Sequence, residues 1–579
     1  MAWYDQAVFY HIYPIGLTDA PKQNPYTEPE HRLNTLLPWI SHIKKIGCNA
    51  LYIGPLFESV GHGYETTDYK KLDSRLGTND DLTNFVKECH KQEIKVIFDG
   101  VFNHVGRDFF AFKDLKQNRE HSPYTGWFCN VNFYGNNEYN DGFCYDNWGG
   151  HNLLVKLNQK NPAVRDYICD VIRFWVEEFD IDGIRLDAAD VLDFEYMQAM
   201  RRVANEVKED FWLMGEVIHG DYSRWANENT LHSVTNYQLH KALYSGHNDH
   251  NYFEIAHTIK YLSDKGLNQP GGLKLYNFVD NHDVERIYTK LQVKKHFIPV
   301  HILMYTLPGI PSVYYGSEFA IEGKKEYGSD YSLRPALSLA DYADAVEKNE
   351  YTKLIASLGT IRQKTKVLSC GDYKQLLLTN RQFAFSRNSG EWSVIVAVNN
   401  DDNASDLRIP AGNTGEYIGA LSGKKVTVQD GHISFSLPGN SGEIWMPADM
   451  NEKSIIPVLK ESAPKMPTKT SVESDQTKPE PLKAPNTKLE EKTSSIPQKI
   501  SNPEIPNTSK QQEVKTPEPK EEPQVTVTTN KSYEEMTVEE LQNCILAKMA
   551  KNGPVTDQMK KDVMQNVWHN SLVNWAKSF

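Results

Sequence analysis

The chain has few cysteines, no long apolar run and a deficit of positive charge. Its seven cysteines are an odd number without a CxxC pair, which indicates free thiols in a reducing compartment rather than a disulfide framework. No apolar stretch reaches the length of a membrane span. The formal charge of −13 disfavours a nucleic-acid binder, because phosphate binding relies on clustered Lys and Arg. These absences predict a cytoplasmic protein with neither a membrane nor a nucleic-acid partner.

Short apolar runs alternate with longer helical segments up to about residue 320. The first run begins at Ala7, so we expect no secretory leader before the fold. Leu82, Phe85, Val86 and Cys89 recur at helical spacing, which predicts one buried helix face between two of the runs. Eight such runs predict an α/β fold with a closed parallel (β/α)8 TIM barrel. The runs are AVFYHI (7–12), NALYIGPLF (49–57), IKVIFD (94–99), GIRLDA (183–188), FWLMGEVI (211–218), SVTNYQL (233–239), YNFVDN (276–281) and PSVYYG (311–316).

The remaining segments predict four further parts. Residues at about 105–150 lack helical periodicity and are expected to form a small inserted lobe after the third strand of the catalytic domain, which we place at 1–369. Residues 370–448 show alternating β patterns that predict an antiparallel β-sandwich. Residues 449–532 are rich in Lys, Pro, Glu and Thr and predict a disordered linker. Residues 533–579 predict a small helical tail, whose first helix begins with a capping box from Thr537 to Glu540.

Polar residues stand where the predicted barrel strands end. Catalytic side chains of such barrels lie at the C-terminal ends of the strands. Arg185 and Asp187 are two positions apart, so they share one face of a strand, and the guanidinium can orient the carboxylate and keep it ionised. Acidic groups from three strand ends are therefore expected to converge. The strand-end residues are Asp99, Asn103, His104, Arg185, Asp187, Glu216, His282 and Asp283.

This set matches the requirements of glycoside cleavage. One carboxylate attacks the anomeric carbon while a carboxylic acid protonates the departing oxygen. Asp187 beside Arg185 suits the nucleophile, and Glu216 after the apolar FWLMG suits the acid. Asp283 is a third carboxylate that can bind the sugar hydroxyls as the ring flattens.

Residues 1 to about 447 resemble the α-amylase family of glycoside hydrolases. DGVFNH, GIRLDAAD, GEV and FVDNHD match its four catalytic regions in order, and HGY at 62–64 matches the segment whose Tyr stacks on the sugar. The resemblance implies Asp187 as nucleophile, Glu216 as acid/base and Asp283 as transition-state stabiliser. It also implies a substrate subsite lined by His62, Tyr64, His104, Arg185 and His282.

The segment NLLVKLN (152–158) resembles the neopullulanase and cyclomaltodextrinase branch of the family. Lys156 stands where many calcium-dependent members have Asp, and a positive charge there disfavours a cation. We expect no required cofactor, with Asn103 as the candidate ligand if calcium binds. We expect no N-terminal β domain of the kind that is usual in that branch, and the usual Trp after Glu216 is missing.

Several alternatives remain open from the sequence. The predicted activity is hydrolysis of maltodextrins, starch or glycogen fragments, or cyclodextrins. Transfer of the glucosyl unit to a sugar acceptor uses the same intermediate, and a non-catalytic glucan-binding scaffold with a partner-docking tail is a different class. The tail helices are open to packing, self-association or a protein partner. The lobe aromatics, which are as compatible with sugar stacking as with a small core, are Trp127, Phe133, Tyr145 and Trp148.

Overall fold

The computed structural model describes residues 2–411, 415–450, 532–533 and 536–552, with residues 560, 563, 564, 572 and 576 in addition. The chain divides into two units, residues 1–469 and 470–579. The predicted linker lies outside the described residues, apart from residues 449, 450 and 532. No helix in the described part of the chain is both long and apolar enough to cross a membrane.

Eight parallel strands form the barrel of the first unit. In spatial order they run β6-β5-β4-β3-β2-β1-β8-β7, and every neighbouring pair is parallel. A parallel bridge between Thr235 and Tyr276 closes the sheet on itself, which confirms the predicted barrel. The strands are β1 (Phe9–Ile12), β2 (Ala50–Ile53), β3 (Lys95–Gly100), β4 (Gly183–Leu186), β5 (Trp212–Gly215), β6 (Ser233–Val234), β7 (Tyr276–Asn277) and β8 (Ile310–Tyr314).

Alternating side chains along these strands fill two different layers. The rings of Phe9 on β1 and Trp212 on β5 stack 5.1 Å apart across the barrel, and both are fully buried. Their neighbours Tyr10 and Leu213 face outward into the larger core between the strands and the helices. This period of two fills the barrel interior with side chains and leaves no pore.

The helices of the first unit surround the barrel sheet, connect its strands or lead into the sandwich, whereas the last helix belongs to the second unit. In chain order they are α1 (Pro14–Leu17), α2 (Leu37–Lys45), α3 (Asn79–Lys91), α4 (Phe110–Asn118), α5 (Pro162–Phe179), α6 (Phe194–Val207), α7 (Tyr237–Asn248), α8 (Tyr252–Asp264), α9 (Ile287–Lys290), α10 (Phe297–Thr306), α11 (Ala345–Lys348), α12 (Glu350–Lys364), α13 (Lys366–Cys370) and α14 (Val538–Asn552). Short 3₁₀ turns occupy Trp3–Gln6, Arg32–Leu36, Arg119–His121, Thr125–Trp127, Ala189–Val191, Tyr222–Arg224, Lys294–His296, Ser317–Phe319, Tyr331–Leu333 and Leu339–Tyr342.

Local sequence signals explain where two of the predicted helices begin. Thr78 accepts the Asp81 amide and Asp81 returns the bond, so a capping box starts α3. Asn161 accepts the Ala163 amide, and Pro162 occupies the first turn of α5, where its missing N–H leaves no unpaired group. The four apolar residues predicted on α3 are all buried.

The sixth predicted strand is wrong in its length. Strand β6 ends at Val234, and the predicted strand residues from Tyr237 onward belong to α7. Asn236 causes the change, because its side chain accepts the Leu239 amide and so caps a new helix. The side chains after β6 therefore follow a helical period rather than a strand period.

The inserted lobe follows β3, as predicted, but it contains a helix that the sequence did not indicate. Helix α4 buries Ala111, Phe112 and Leu115. A three-stranded antiparallel sheet of His104–Gly106, His151–Lys156 and Asn147–Trp148 forms the base of the lobe. A second small pair, Phe57–Ser59 with Thr66–Leu72, lies after β2. The sequence did not reveal α4, because more than half of its residues are polar.

An antiparallel sandwich follows the barrel and confirms that part of the predicted fold. One sheet has the order β9-β10-β11-β16-β13-β14, and β12 pairs with β15 in a second sheet. Side chains such as Ile395, Leu407 and Trp445 pack between the two sheets. Strands β12, β13 and β16 were not predicted. The strands are β9 (Asp372–Leu378), β10 (Gln382–Ser389), β11 (Trp392–Asn399), β12 (Ser405–Pro410), β13 (Glu416–Gly419), β14 (Lys425–Thr427), β15 (His432–Leu437) and β16 (Ser441–Pro447).

The second unit contains the predicted first tail helix. The Thr537 amide donates to Glu540 at 2.7 Å and the Glu540 amide donates to Thr537 at 3.2 Å, so the capping box at the start of α14 is present. Leu541 and Ile545 of this helix are buried. Most of the predicted second helix lies outside the described residues.

Candidate active site

The strand period places acidic and basic groups together at the C-terminal end of the barrel. Asp99 of β3 is in register with Arg185 of β4, and Arg185 is in register with Met214 of β5. Two positions further along the same faces stand Asp187 and Glu216. The apolar interior therefore gives way to one charged layer where the strands end.

Arg185 is the centre of this layer. Its Nη1 lies 2.8 Å from Asp99 Oδ1 and 3.0 Å from Asp187 Oδ1. Its Nη2 lies 2.9 Å from Glu216 Oε2. One buried guanidinium thus orients three carboxylates from three strands, which is the geometry that a planar fork of donors provides.

The net effect on the Asp187 pKa differs from the sequence prediction. Burial raises the pKa of the Asp187 carboxyl well above its usual range, because the charged form loses hydration. The Arg185 guanidinium lowers it, as predicted, while the charge of Glu216 raises it again. The expected ion pair is present, but burial outweighs it, since one guanidinium is shared by several carboxylates.

Glu216 is oriented by two further donors. The Ala188 amide donates to its Oε2 at 3.1 Å, and the Tyr237 hydroxyl donates to its Oε1 at 3.3 Å. The Tyr237 hydroxyl in turn accepts a hydrogen bond of 3.1 Å from Asn281. The carboxyl group of Glu216 is therefore restrained on both oxygens.

Asp283 lies between a histidine and an arginine. His282 Nε2 lies 3.0 Å from its Oδ2, and Arg334 Nη2 lies 2.8 Å from its Oδ1. Burial opposes ionisation, but His282 and Arg334 outweigh it and hold the pKa of Asp283 well below its usual range. Asp283 is therefore held in its carboxylate form.

The ring of Tyr64, which was predicted to stack on the sugar, lies next to His282, and His282 contacts Asp283. The ring of Tyr64 stacks on His282 with centroids 5.8 Å apart and an angle of 12°. The Tyr64 hydroxyl lies 2.5 Å from His282 Nε2 and 3.3 Å from Asp99 Oδ2. Tyr52 donates to the same Asp99 oxygen at 2.7 Å. These bonds hold the Tyr64 ring rigidly beside the carboxylates.

His62 and His104 form another part of the wall. His62 Nε2 lies 3.1 Å from Glu65 Oε1. The ring of His104 is parallel to that of Trp148, with centroids 6.3 Å apart. Burial lowers the pKa of His104 to about 3, so this side chain is neutral near pH 7. Its buried Nε2 has no protein partner.

One cavity of about 1010 Å³ brings the predicted residues together. His62, Tyr64 and His104 line it together with the three predicted catalytic carboxylates, Asp187, Glu216 and Asp283. Arg185 and His282 lie behind this wall, where each is about 2% exposed. Arg185 contacts Asp187 and Glu216, and His282 contacts Asp283, from the buried side rather than from the cavity.

The structure separates the four lobe aromatics. Trp148 lines the cavity. Tyr145 is buried against Phe112 inside the lobe, and Trp127 packs on Phe109 and Phe110. Phe133 contacts the ring of Phe143, another lobe residue. Trp148 is thus the member of this group that is placed to meet a ligand.

Tyr237 and Arg334 contact the predicted catalytic carboxylates but were not singled out from the sequence. Tyr237 stood within a predicted strand, so its contact with Glu216 was not expected. Arg334 follows β8 in a segment without a catalytic motif. The general rule that the segments after barrel strands carry site residues is the signal that could have pointed to it.

The residues around Asn103 do not fit a calcium ion. Asn103 Oδ1 already accepts a hydrogen bond of 2.9 Å from Gln159, and its Nδ2 lies 3.2 Å from His104 Nδ1. Lys156 lies on the strand that pairs with His104. Within the described ranges, no group of three or more His, Cys, Asp or Glu residues is placed to bind a metal ion.

Comparisons with known proteins agree with this architecture. Residues 32–366 match the family described as alpha amylase, catalytic domain, and residues 378–448 match the alpha amylase C-terminal all-beta domain. A cyclomaltodextrinase of Thermoanaerobacter pseudethanolicus is 30% identical over 423 residues, covering 69% of this chain and 71% of that protein. Neopullulanase 2 of Thermoactinomyces vulgaris is 27% identical over 471 residues, covering 76% and 78%.

Superposition on solved structures supports the same fold. A cyclomaltodextrinase superposes with a TM-score of 0.68 at 25% identity, covering 77% of this chain and 78% of its own. A debranching enzyme of Nostoc punctiforme superposes with a TM-score of 0.64 at 26% identity, covering 77% and 98%.

Proposed function

The chain belongs to the alpha-amylase family, and we propose that it hydrolyses α-glucosidic bonds with retention through a covalent glucosyl-enzyme intermediate. The proposed substrates are maltodextrins, starch or glycogen fragments, and cyclodextrins. The names of the similar cyclomaltodextrinases and neopullulanase support this choice of substrate class. The chemistry is assigned to Asp187, Glu216 and Asp283.

The arrangement of Asp187 and Glu216 carries the proposal. Their carboxylates bind to the two terminal nitrogens of the same guanidinium, at 3.0 and 2.9 Å. A retaining pair needs carboxyl groups about 5 Å apart, whereas an inverting pair is wider because a water molecule must fit. The shared anchor on Arg185 supports the close spacing.

In the first step, the protonated Glu216 donates its proton to the glycosidic oxygen. The bond from that oxygen to the anomeric carbon breaks, and an Asp187 oxygen forms a bond to the same carbon. In the second step, the Glu216 carboxylate removes a proton from water, whose oxygen replaces Asp187 at the anomeric carbon. Glu216 is again protonated and Asp187 is again a carboxylate, so the cycle closes.

Asp283 is proposed to stabilise the sugar as positive charge develops at its anomeric carbon. Its low pKa keeps it ionised throughout, and an ionised group in a buried site acts strongly on developing charge. The stacked ring of Tyr64 provides an apolar surface for one sugar face. His62 and His104 supply hydrogen-bonding groups on the same wall. No step requires a metal ion.

The Asp187→Asn variant tests the proposed nucleophile. We expect release of reducing sugar from maltoheptaose to fall about a thousandfold or more, because the covalent step is lost. Asp166→Asn is the matched control, since Asp166 is 70% exposed on α5 and the same chemical change there should leave the rate unchanged. Wild-type activity in Asp187→Asn contradicts the assignment.

Retention is tested separately by the configuration of the first product. Proton NMR during cleavage should show the α-anomer before mutarotation mixes the two forms. An initial β-anomer would indicate inversion and would contradict the covalent intermediate.

A further inference from the structure

Two helices after the sixth strand extend the active-site cavity away from the carboxylates. Helix α7 lines it with Tyr237, Lys241 and Tyr244, and α8 lines it with Glu254, His257, Thr258 and Tyr261. Tyr237, Lys241 and Tyr244 are spaced four and three positions apart on α7, and Glu254, His257 and Tyr261 three and four positions apart on α8, so each set shares one face. Each helix therefore presents a continuous stripe of polar and aromatic groups to the cavity.

The cavity stripe of α8 is separate from the stripe that packs into the core. Ile255, Ile259 and Leu262 are buried on the core side of this helix. Tyr261 is 36% exposed, and its large ring faces the cavity instead of joining that core. Folding alone does not require an aromatic residue at an exposed position of this helix.

The direction of the cavity follows from the proposed chemistry. Glu216 protonates the departing oxygen, so the leaving group lies on the Glu216 side of the cleaved bond. Tyr237, at the start of α7, contacts Glu216. Lys265, four positions after Tyr261, binds Asp221 in the segment that follows Glu216. Tyr261 therefore lies on the same side of the cavity as the proton donor, which is the leaving-group side.

Polar contacts fix the two helices in this arrangement. Lys241 on α7 forms an ion pair with Glu254 on α8, and Ser245 donates to the other Glu254 oxygen at 2.7 Å. Lys265 Nζ binds Asp221 at 2.7 Å and lies 5.8 Å from the centre of the Tyr261 ring. The ring therefore lies on a scaffold that is formed before any ligand binds.

We propose that Tyr261 forms a stacking subsite for a glucose unit of the leaving group. The Lys241–Glu254 pair lines the same cavity about 10 Å from Tyr261 along α8, where it provides donors and acceptors for the hydroxyls of another unit. These groups favour α-glucan chains that extend past the cleaved bond. The inference rests on the proposed function, because it takes the position of the leaving group from Glu216.

Substrates with long and short leaving groups test the subsite in the full-length chain. For Tyr261→Ala, we expect kcat/KM on maltoheptaose to fall about three- to tenfold, chiefly through KM. On 4-nitrophenyl α-maltoside, whose leaving group contains no glucose unit, the value should stay within about twofold. With end-labelled maltoheptaose, cleavage should move toward the reducing end, because binding modes with many leaving-group units lose their contact.

Two further variants separate a binding role from a structural one. Tyr261→Phe keeps the ring and should retain the wild-type cleavage pattern. Phe253→Ala removes a ring that is 48% exposed on the same helix but outside the cavity lining, and it should leave both substrates unaffected. An equal loss on both substrates in Tyr261→Ala, or an unchanged cleavage pattern, would overturn the subsite. A wild-type enzyme inactive on both substrates would overturn the proposed function itself.

Discussion

The Asp283 carboxylate lies 2.8 Å from the Arg334 guanidinium, although the two residues are 51 positions apart in the chain. Arg334 also donates from Nε to the His282 carbonyl at 3.0 Å. The segment after β8 therefore returns to the end of the segment after β7 and supplies the positive charge that faces Asp283. This contact determines how one of the three proposed catalytic carboxylates ionises.

Replacing Arg334 by Gln should raise the pKa of Asp283, because burial remains while a positive charge is lost. We expect the Asp283 carboxyl carbon, followed by carbon-13 NMR during an acid titration, to show a pKa about one unit higher in Arg334→Gln than in wild type. Arg334→Lys, which keeps the charge, should shift this pKa less. The acidic limb of kcat/KM should stay where the higher pKa of Asp187 sets it. An unchanged Asp283 pKa in Arg334→Gln would contradict this.

The wild-type acidic limb should itself lie above the ordinary range of an Asp side chain. Burial raises the pKa of Asp187, so the reactive carboxylate form is reached only at a higher pH than for a solvated group. The profile of kcat/KM in 4-nitrophenyl α-maltoside hydrolysis reports this free-enzyme ionisation. A midpoint at or below about 3.9, the solvated Asp value, would show that Arg185 outweighs burial.

Tyr237→Phe should slow the chemical step without weakening substrate binding. The change removes the hydroxyl that contacts both Glu216 and Asn281 and keeps the buried ring. We expect kcat to fall about five- to tenfold, the value of one ordinary hydrogen bond, with KM little changed. Tyr124→Phe, in the inserted lobe, serves as the control. A rise in KM at constant kcat would assign Tyr237 to binding instead.

Chelation should affect neither activity nor thermal stability. The Asn103 oxygen accepts a hydrogen bond from Gln159, and Lys156, in register with His104 on the neighbouring strand, puts a basic side chain near the position that a calcium ion would take. We expect the same kcat and the same Tm with and without EDTA. A Tm that drops in EDTA and recovers on adding calcium would show that a site forms despite this contact.

The folded state should lose stability as the pH falls from about 6.5. Burial lowers the pKa of His104, His240 and His247 to about 3 each, whereas the unfolded chain binds these protons near pH 6.5. The unfolded state therefore holds more protons between those values, and the free energy of unfolding must decrease with falling pH. Urea unfolding between pH 7 and 4 measures this, and a constant midpoint would contradict it.

The barrel and the convergence of its acidic residues were predictable because they depend on short-range patterns. A strand alternates its faces with a period of two, so Arg185 and Asp187 had to share a side. The motif order then indicated which strand ends carry acids. Strand β6 was predicted too long because the strand-like pattern continues past Asn236, whose side chain caps the next helix. Strand β12 was missed because only Leu407 and Ile409 of its six residues are buried.

From the sequence alone came the barrel, the sandwich and the three acidic residues that converge in one cavity. The tertiary structure alone decided that burial outweighs Arg185 at Asp187, that Arg334 pairs with Asp283, and that Tyr261 faces the cavity. The physical reason is that pKa values and side-chain contacts depend on desolvation and on groups brought together by folded loops. Such groups are far apart in the chain, so a local sequence pattern cannot indicate how close they lie in space.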